Sequence, residues 1–162
     1  MQGEEHVNIW IDADGCPKDI KEIVFRAGRR LGLPVFVVAN RPLAVPRSGL
    51  VTMVQVSGDF DATDQAIVDR VVPGDVVITA DVPLASQVVD KGAVAIDPRG
   101  QCYTDENVGE RLSLRNFFHD LRGAGLASGG SGPLTESDRR RFASALDRAL
   151  TRRLKSHGRD HP

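Results

Sequence analysis

The stretch Ile11-Asp12-Ala13-Asp14-Gly15-Cys16-Pro17, residues 11–17 (IDADGCP), decides how the rest of the chain is read. Alternating apolar residues Val7, Ile9 and Ile11 lead into it as a strand would. Pro17 then stands where a helix tolerates proline, because the N–H that proline lacks has no partner in a first turn. Ile20, Val24, Ala27 and Leu31 follow at helical spacing, and Gly32 ends the run. A strand therefore passes into a helix through a turn that carries two aspartates one residue apart. Such a pair repels itself unless positive charge lies between its members.

Working outward, runs rich in valine and isoleucine recur near 35–39, 51–56, 75–80 and 93–97, with helical patterns between most of them. Helices are expected from Ala62 to Val72, from Pro83 to Lys91 and from Arg111 to Arg122. The alternation predicts an α/β fold, a three-layer Rossmann-like sandwich around a mainly parallel five-stranded sheet, with strand order 3-2-1-4-5. RPLAVPRSG (41–49) reads as a loop, and GAGLASGGSGP after Arg122 as a Gly/Ser connection. Thr135 and Asp138 have the spacing of a capping box, opening a last helix with Phe142, Ala145, Leu146 and Leu150 on its apolar face. One domain over residues 1–155 and a disordered tail over 156–162 are expected.

The 162 residues carry a formal net charge of -1, which argues against binding nucleic acid through bulk charge and leaves room for local faces of either sign. The only two cysteines, Cys16 and Cys102, form no C-x-x-C pair, so neither a disulfide framework nor a zinc site is expected. The first residues, MQGEEHVN, carry no basic, apolar leader pattern, and no segment reaches membrane-spanning length. A soluble, cytoplasmic protein is the expectation.

In an open parallel sheet, ligands bind beyond the carboxyl ends of the strands, near the point where strand order reverses. Those ends read Asp12 and Asp14, then Asn40-Arg41, Asp59 and Asp61, Thr79 and Asp81, and Asp97-Pro98-Arg99. With neighbouring strands about 4.8 Å apart, Asp12, Asp14 and Asp81 come within reach of one ion. Asp61 and Asp64 share the inward face of the second helix. Converging carboxylates suit a hard divalent cation, Mg or Mn, with open positions for water and a phosphate oxygen. Arg41, Arg47, Arg99, Arg115 and Arg122 are candidates to hold a phosphate backbone around that site.

Each of these residues also has a plainer reading. Asp59, Asp97 and Asp105 suit turns and caps. Cys16, at a helix start, is read as a small half-buried residue, since no arginine stands six positions on as in cysteine phosphatases. The histidines at 6, 119, 157 and 161 are scattered, and the arginines of the last helix are read as a solvated face.

Taken together, IWIDADGCP, GDFDATDQAIVDRVVPGDVVITADVPLA, GAVAIDPRG, and the GGSGP before LTESDRRRFASALDRAL resemble the YaiI/YqxD family of uncharacterised bacterial proteins, over Asn8 to Leu154. The resemblance implies a PIN-like fold with an acidic metal site of the kind that cuts RNA. On that basis Asp12, Asp64 and Asp81 are the catalytic carboxylates, with Thr79 beside Asp81, and Asp14 and Asp61 support them at the metal; Thr79, together with Asn40, Arg41 and Arg99 from their places at the strand ends, is read as substrate-binding. Two rival readings stand beside it. D-A-D-G mimics the signature of haloacid-dehalogenase-type phosphatases, where Asp12 would be a nucleophile. A nucleotide- or RNA-binding module would keep the fold and have no turnover.

Overall fold

The computed structural model describes residues 7–59, 61–123 and 132–159. Eleven elements follow one another as β1 (Ile9–Asp12), α1 (Lys18–Leu31), β2 (Val35–Ala39), β3 (Val51–Gln55), α2 (Ala62–Arg70), β4 (Val76–Ile78), α3 (Val82–Asp90), β5 (Val94–Ile96), β6 (Cys102–Tyr103), α4 (Val108–Gly123) and α5 (Glu136–Arg159). One six-stranded sheet runs β3-β2-β1-β4-β5-β6. The first five strands are parallel, and β6 is antiparallel to β5. The expected order of five strands therefore holds, with a sixth added at the edge.

Period-two alternation sends neighbouring residues to opposite faces of the sheet. Ile9 and Ile11 go to one side with Val37, Ile78 and Ile96, where α1 and α5 cover them through Ile20, Val24, Phe142, Leu146 and Leu150. Trp10 goes to the other side with Val38 and Val77, under Ile67 of α2 and Leu84 and Val88 of α3. Trp10 stacks on Phe36 with ring centroids 4.4 Å apart. Two helical layers thus enclose the sheet, and α4 packs outside α3.

The strand the sequence reading lacks, β6, is only two residues long, too short to show a period. It is made by the turn Asp97–Gly100. Asp97 Oδ1 accepts from Arg99 N at 2.9 Å and Gln101 N at 3.0 Å, an Asx turn that confirms the structural reading of Asp97. Gly100 closes it at φ +92° with its α-carbon hard against α5, where a Cβ would lie 2.8 Å from the Arg141 carbonyl carbon.

The capping box forms as its spacing predicts. Thr135 N donates to Asp138 Oδ2 and Asp138 N donates to Thr135 Oγ1, both at 3.0 Å. The Gly/Ser connection falls largely on residues 124–131, outside the described residues. Helix α5 continues to Arg159, into the stretch read as tail, whose last three residues lie outside the described ones.

Candidate functional site

The site forms because three βα junctions end in acids side by side. Strands β1 and β4 are hydrogen-bonded neighbours at the reversal of strand order, so Asp12, closing β1, and Asp81, three residues beyond β4, come out at the same edge. Thr79 ties them together. Its fully buried hydroxyl donates to Asp12 Oδ2 at 2.8 Å and accepts from Asp81 N at 3.0 Å. Asp81 Oδ1 in turn accepts from Leu84 N at 3.0 Å and caps α3. The plain reading of Asp81 as a helix cap is therefore correct for one oxygen.

Asp64 reaches the pair from the first turn of α2, close to Asp81. Burial, then the charges of Asp81, Asp12 and Asp61, push its carboxyl up to about 7. Asp12 is also raised, by burial first and by Asp81 and Asp14, against the lowering effect of the Thr79 hydroxyl. Both carboxyls are thus held above the usual carboxylate range, Asp64 the more strongly.

Asp14 is differently engaged. Asn40 N donates to its Oδ1 at 3.1 Å, and the hydroxyl of buried Thr63 donates to Oδ2 at 2.7 Å. It thereby joins the ends of β1 and β2 to α2. Asp61, exposed, precedes α2 at φ +65°, the one non-glycine residue with positive φ among the described residues. That conformation turns the chain into α2 so that Asp64 faces inward.

A cavity of about 490 Å³ opens over these groups, lined by Asp12, Asp14, Asp59, Asp61, Asp64 and Asp81 together with Gly15, Asn40 and Thr63. A second, of about 280 Å³ and bounded by Cys16, Ile78, Ala80 and Pro98, shares Asp12, Gly15 and Asp81 with it. A Cβ on Gly15 would meet nothing within 4 Å.

The four residues expected at the substrate find different positions. Thr79 is buried beneath the carboxylates as their link. Asn40 lines the acidic cavity and touches Asp14 through its backbone. Arg41 is exposed and does not line the cavity. Arg99 donates to Asp138 at 2.6 Å and to the Gly132 carbonyl, so it serves the start of α5. Cys16, half-buried beside Asp12, has its thiol pushed up to about 12, burial being the main cause and Lys21 opposing, which disfavours the thiolate a nucleophile needs. Sequence reasoning missed Thr63, although DATD already set a threonine beside Asp64 on the turn that enters α2.

Among the described residues, no three histidine, cysteine, aspartate or glutamate side chains already surround a common point as ligands of one ion would. The donor chemistry still fits a hard cation, being wholly carboxylate oxygen. A cation held there would relieve the same repulsion that raises the Asp64 carboxyl, and its binding would favour the ionised form. Asp12, Asp64 and Asp81 are the residues available to hold such an ion, with Asp14 and Asp61 beside them.

Residues 10–152 match the family described as uncharacterized BCR, YaiI/YqxD family. The chain is 54% identical to a UPF0178 protein of Trichlorobacter lovleyi over 92% of its own length and 97% of the relative's. It is likewise 54% identical to one of Citrifermentans bemidjiense, over 93% and 98%, and 50% identical to one of Halorhodospira halophila, over 91% and 97%. No solved structure matches the chain. The chain belongs to the YaiI/YqxD family.

Proposed function

We propose that this member of the YaiI/YqxD family is a divalent-metal-dependent nuclease that hydrolyses phosphodiester bonds in RNA, in a cytoplasmic setting that suits its two free thiols. One observation carries the reading: Asp12, Asp64 and Asp81, from three separate elements, meet beneath an open cavity, where burial and then mutual repulsion push the Asp64 carboxyl up to about 7. A fold does not keep such repulsion at a ligand-binding edge for its own stability. The choice of a nucleic-acid substrate rests on resemblance to the PIN-like class and is analogy.

In this reading Mg or Mn, when bound by Asp12, Asp64 and Asp81, supplies an acidified water and positive charge beside the phosphodiester. The chain's own residues prepare that place. Thr79 fixes the Asp12 carboxylate and the Asp81 backbone relative to each other. Asp14, held by Thr63 and Asn40, sets the distance between β1 and α2 and so delivers Asp64. The same bonds weigh against the phosphatase reading, whose general acid would be Asp14, because that carboxylate already accepts from a buried hydroxyl and a backbone N–H.

The test is cleavage of single-stranded RNA with Mn²⁺ by wild type and Asp81→Asn, beside a phosphomonoester assay. The expected result is Mn²⁺-dependent RNA cleavage that the substitution removes while the fold persists. Release of phosphate from the monoester with RNA left intact overturns the reading in favour of the phosphatase. Mn²⁺ binding with neither substrate cut leaves a binding module.

A further inference from the structure

We infer that the cavity between β6 and α5 is a second binding site, for a small phosphoryl anion held by Arg148, Arg152 and Arg153. This cavity, of about 300 Å³, is lined by those arginines with Val94, Ala145 and Ala149 as its apolar floor, and by Cys102, Thr104 and Asn107. Its volume lies at the lower end of the roughly 300–1,000 Å³ typical of small-molecule sites. Because Ala95 pairs with Tyr103 and Ile96 with Cys102, Thr104 and Val94 lie together at the amino end of β5. The cavity therefore opens away from the acidic edge, and the inference does not depend on the nuclease reading.

Arg148 and Arg152, at i and i+4, are neighbours on one face of α5, and Arg153, a further turn position around the helix, borders the same cavity from its flank. Four arginines pair with a carboxylate, Arg30 with Asp147, Arg99 and Arg141 with Asp138, and Arg139 with Asp19, while others on the surface, Arg26 and Arg140 among them, pair with none among the described residues; what sets the three arginines of this cavity apart is that they share one concavity. Among the described residues Arg148, Arg152 and Arg153 have none, and no acid lines their cavity. Like charges gathered around one concavity repel one another, and a multiply charged anion relieves all three at once. Guanidinium forks match tetrahedral phosphoryl oxygens two at a time. A single carboxylate would neutralise one of the three.

Two details sharpen the fit. Asn107 is fully spent on the wall, its Oδ1 accepting from Thr104 N and its Nδ2 donating to the Cys102 carbonyl, both at 2.9 Å. The wall is therefore rigid, and the Thr104 hydroxyl is left to donate. Burial raises the Cys102 thiol, while Arg152, Arg153 and Arg148 all pull it down, so the three cations bear on one point of the cavity.

The experiment is calorimetric titration of the full chain with inorganic pyrophosphate, in EDTA and at constant ionic strength, with sulfate as the control anion. One pyrophosphate per chain is expected. Arg148→Gln and Arg152→Gln, both at exposed positions, should each weaken binding by about tenfold. Arg140→Gln, on the same helix and outside the cavity, should leave it unchanged. In a Cys16→Ser background, saturating pyrophosphate should slow alkylation of Cys102. Equal binding by wild type and Arg152→Gln, an unprotected Cys102, or binding of a 5′-phosphorylated oligonucleotide with none of pyrophosphate would each overturn the site.

Discussion

At the amino end of the sheet Asp75 is fully buried and receives three N–H groups: Asn8 N at 3.1 Å, Trp10 Nε1 at 2.9 Å and Val72 N at 3.1 Å. At the carboxyl end Asp12, Asp64 and Asp81 are only partly buried, have fewer donors between them, and face one another. The buried acid is the satisfied one. A lone carboxylate with three donors stitches the starts of β1 and β4 together and spends all its hydrogen-bonding capacity on the fold. Carboxylates that share too few donors keep capacity for something from outside. Burial and donor count together separate the aspartate committed to the fold from those that face the open edge.

The largest effect should come from breaking the satisfied end. Asp75→Ala strands three N–H groups, of which the Trp10 indole is buried and the other two partly so, and is expected to cost about 3 kcal/mol, read as a lowered denaturation midpoint with unchanged slope. A cost below about 1 kcal/mol would mean that the contrast between the two ends is not energetic.

Next in size is Thr79→Val, which removes the link within the crowded end. It should cost about 1–3 kcal/mol and lower the rise in melting temperature that Mn²⁺ gives the wild type. A loss of stability with a full Mn²⁺ response would show that the link is structural only.

The pH dependence tests the crowding itself. Asp64 has a folded value near 7 against 3.8 for the free side chain, so between those values the native state holds a proton that the unfolded chain has released. Stability from this group is therefore present at low pH and is lost as pH rises from about 4 to about 7. Because Asp64 is only half-buried, the loss should be about 1 kcal/mol. Asp64→Asn should flatten that part of the stability profile. An identical slope in both proteins would remove the crowding argument.

The smallest effect on stability belongs to Gly15→Val, where a side chain enters open space between the two cavities. Its unfolding free energy should stay within about 0.5 kcal/mol of wild type. RNA cleavage should fall, as measured in the Mn²⁺ assay.

Much of this fold was legible because strong periods and punctuation agree. Pro17 and Gly32 bracket α1, the glycine ending it at φ +70° with its N–H on the Gly28 carbonyl. The capping box sets the start of α5. The set of acids at strand ends was legible too, since chain order and parallel topology bring them together. What escaped the sequence depends on partners distant in the chain. Asp75 finds Trp10 across 65 positions and Thr63 finds Asp14 across 49. Arg99 looked like a phosphate ligand because its partner, Asp138, stands 39 residues away.

The docking of α5 has a consequence for how the chain may be divided. Its start is fixed by Thr135, Asp138 and Arg99, Gly100 admits its backbone, and Phe142, Leu146 and Leu150 are fully buried. None of these anchors depends on a covalent path from α4. Two polypeptides, 1–123 and 132–162, made separately, would therefore carry matching halves of one core and recognise each other on mixing. Their association would turn an intramolecular packing energy into a dissociation constant, and the strength with which the last helix is held could be read directly from dilution.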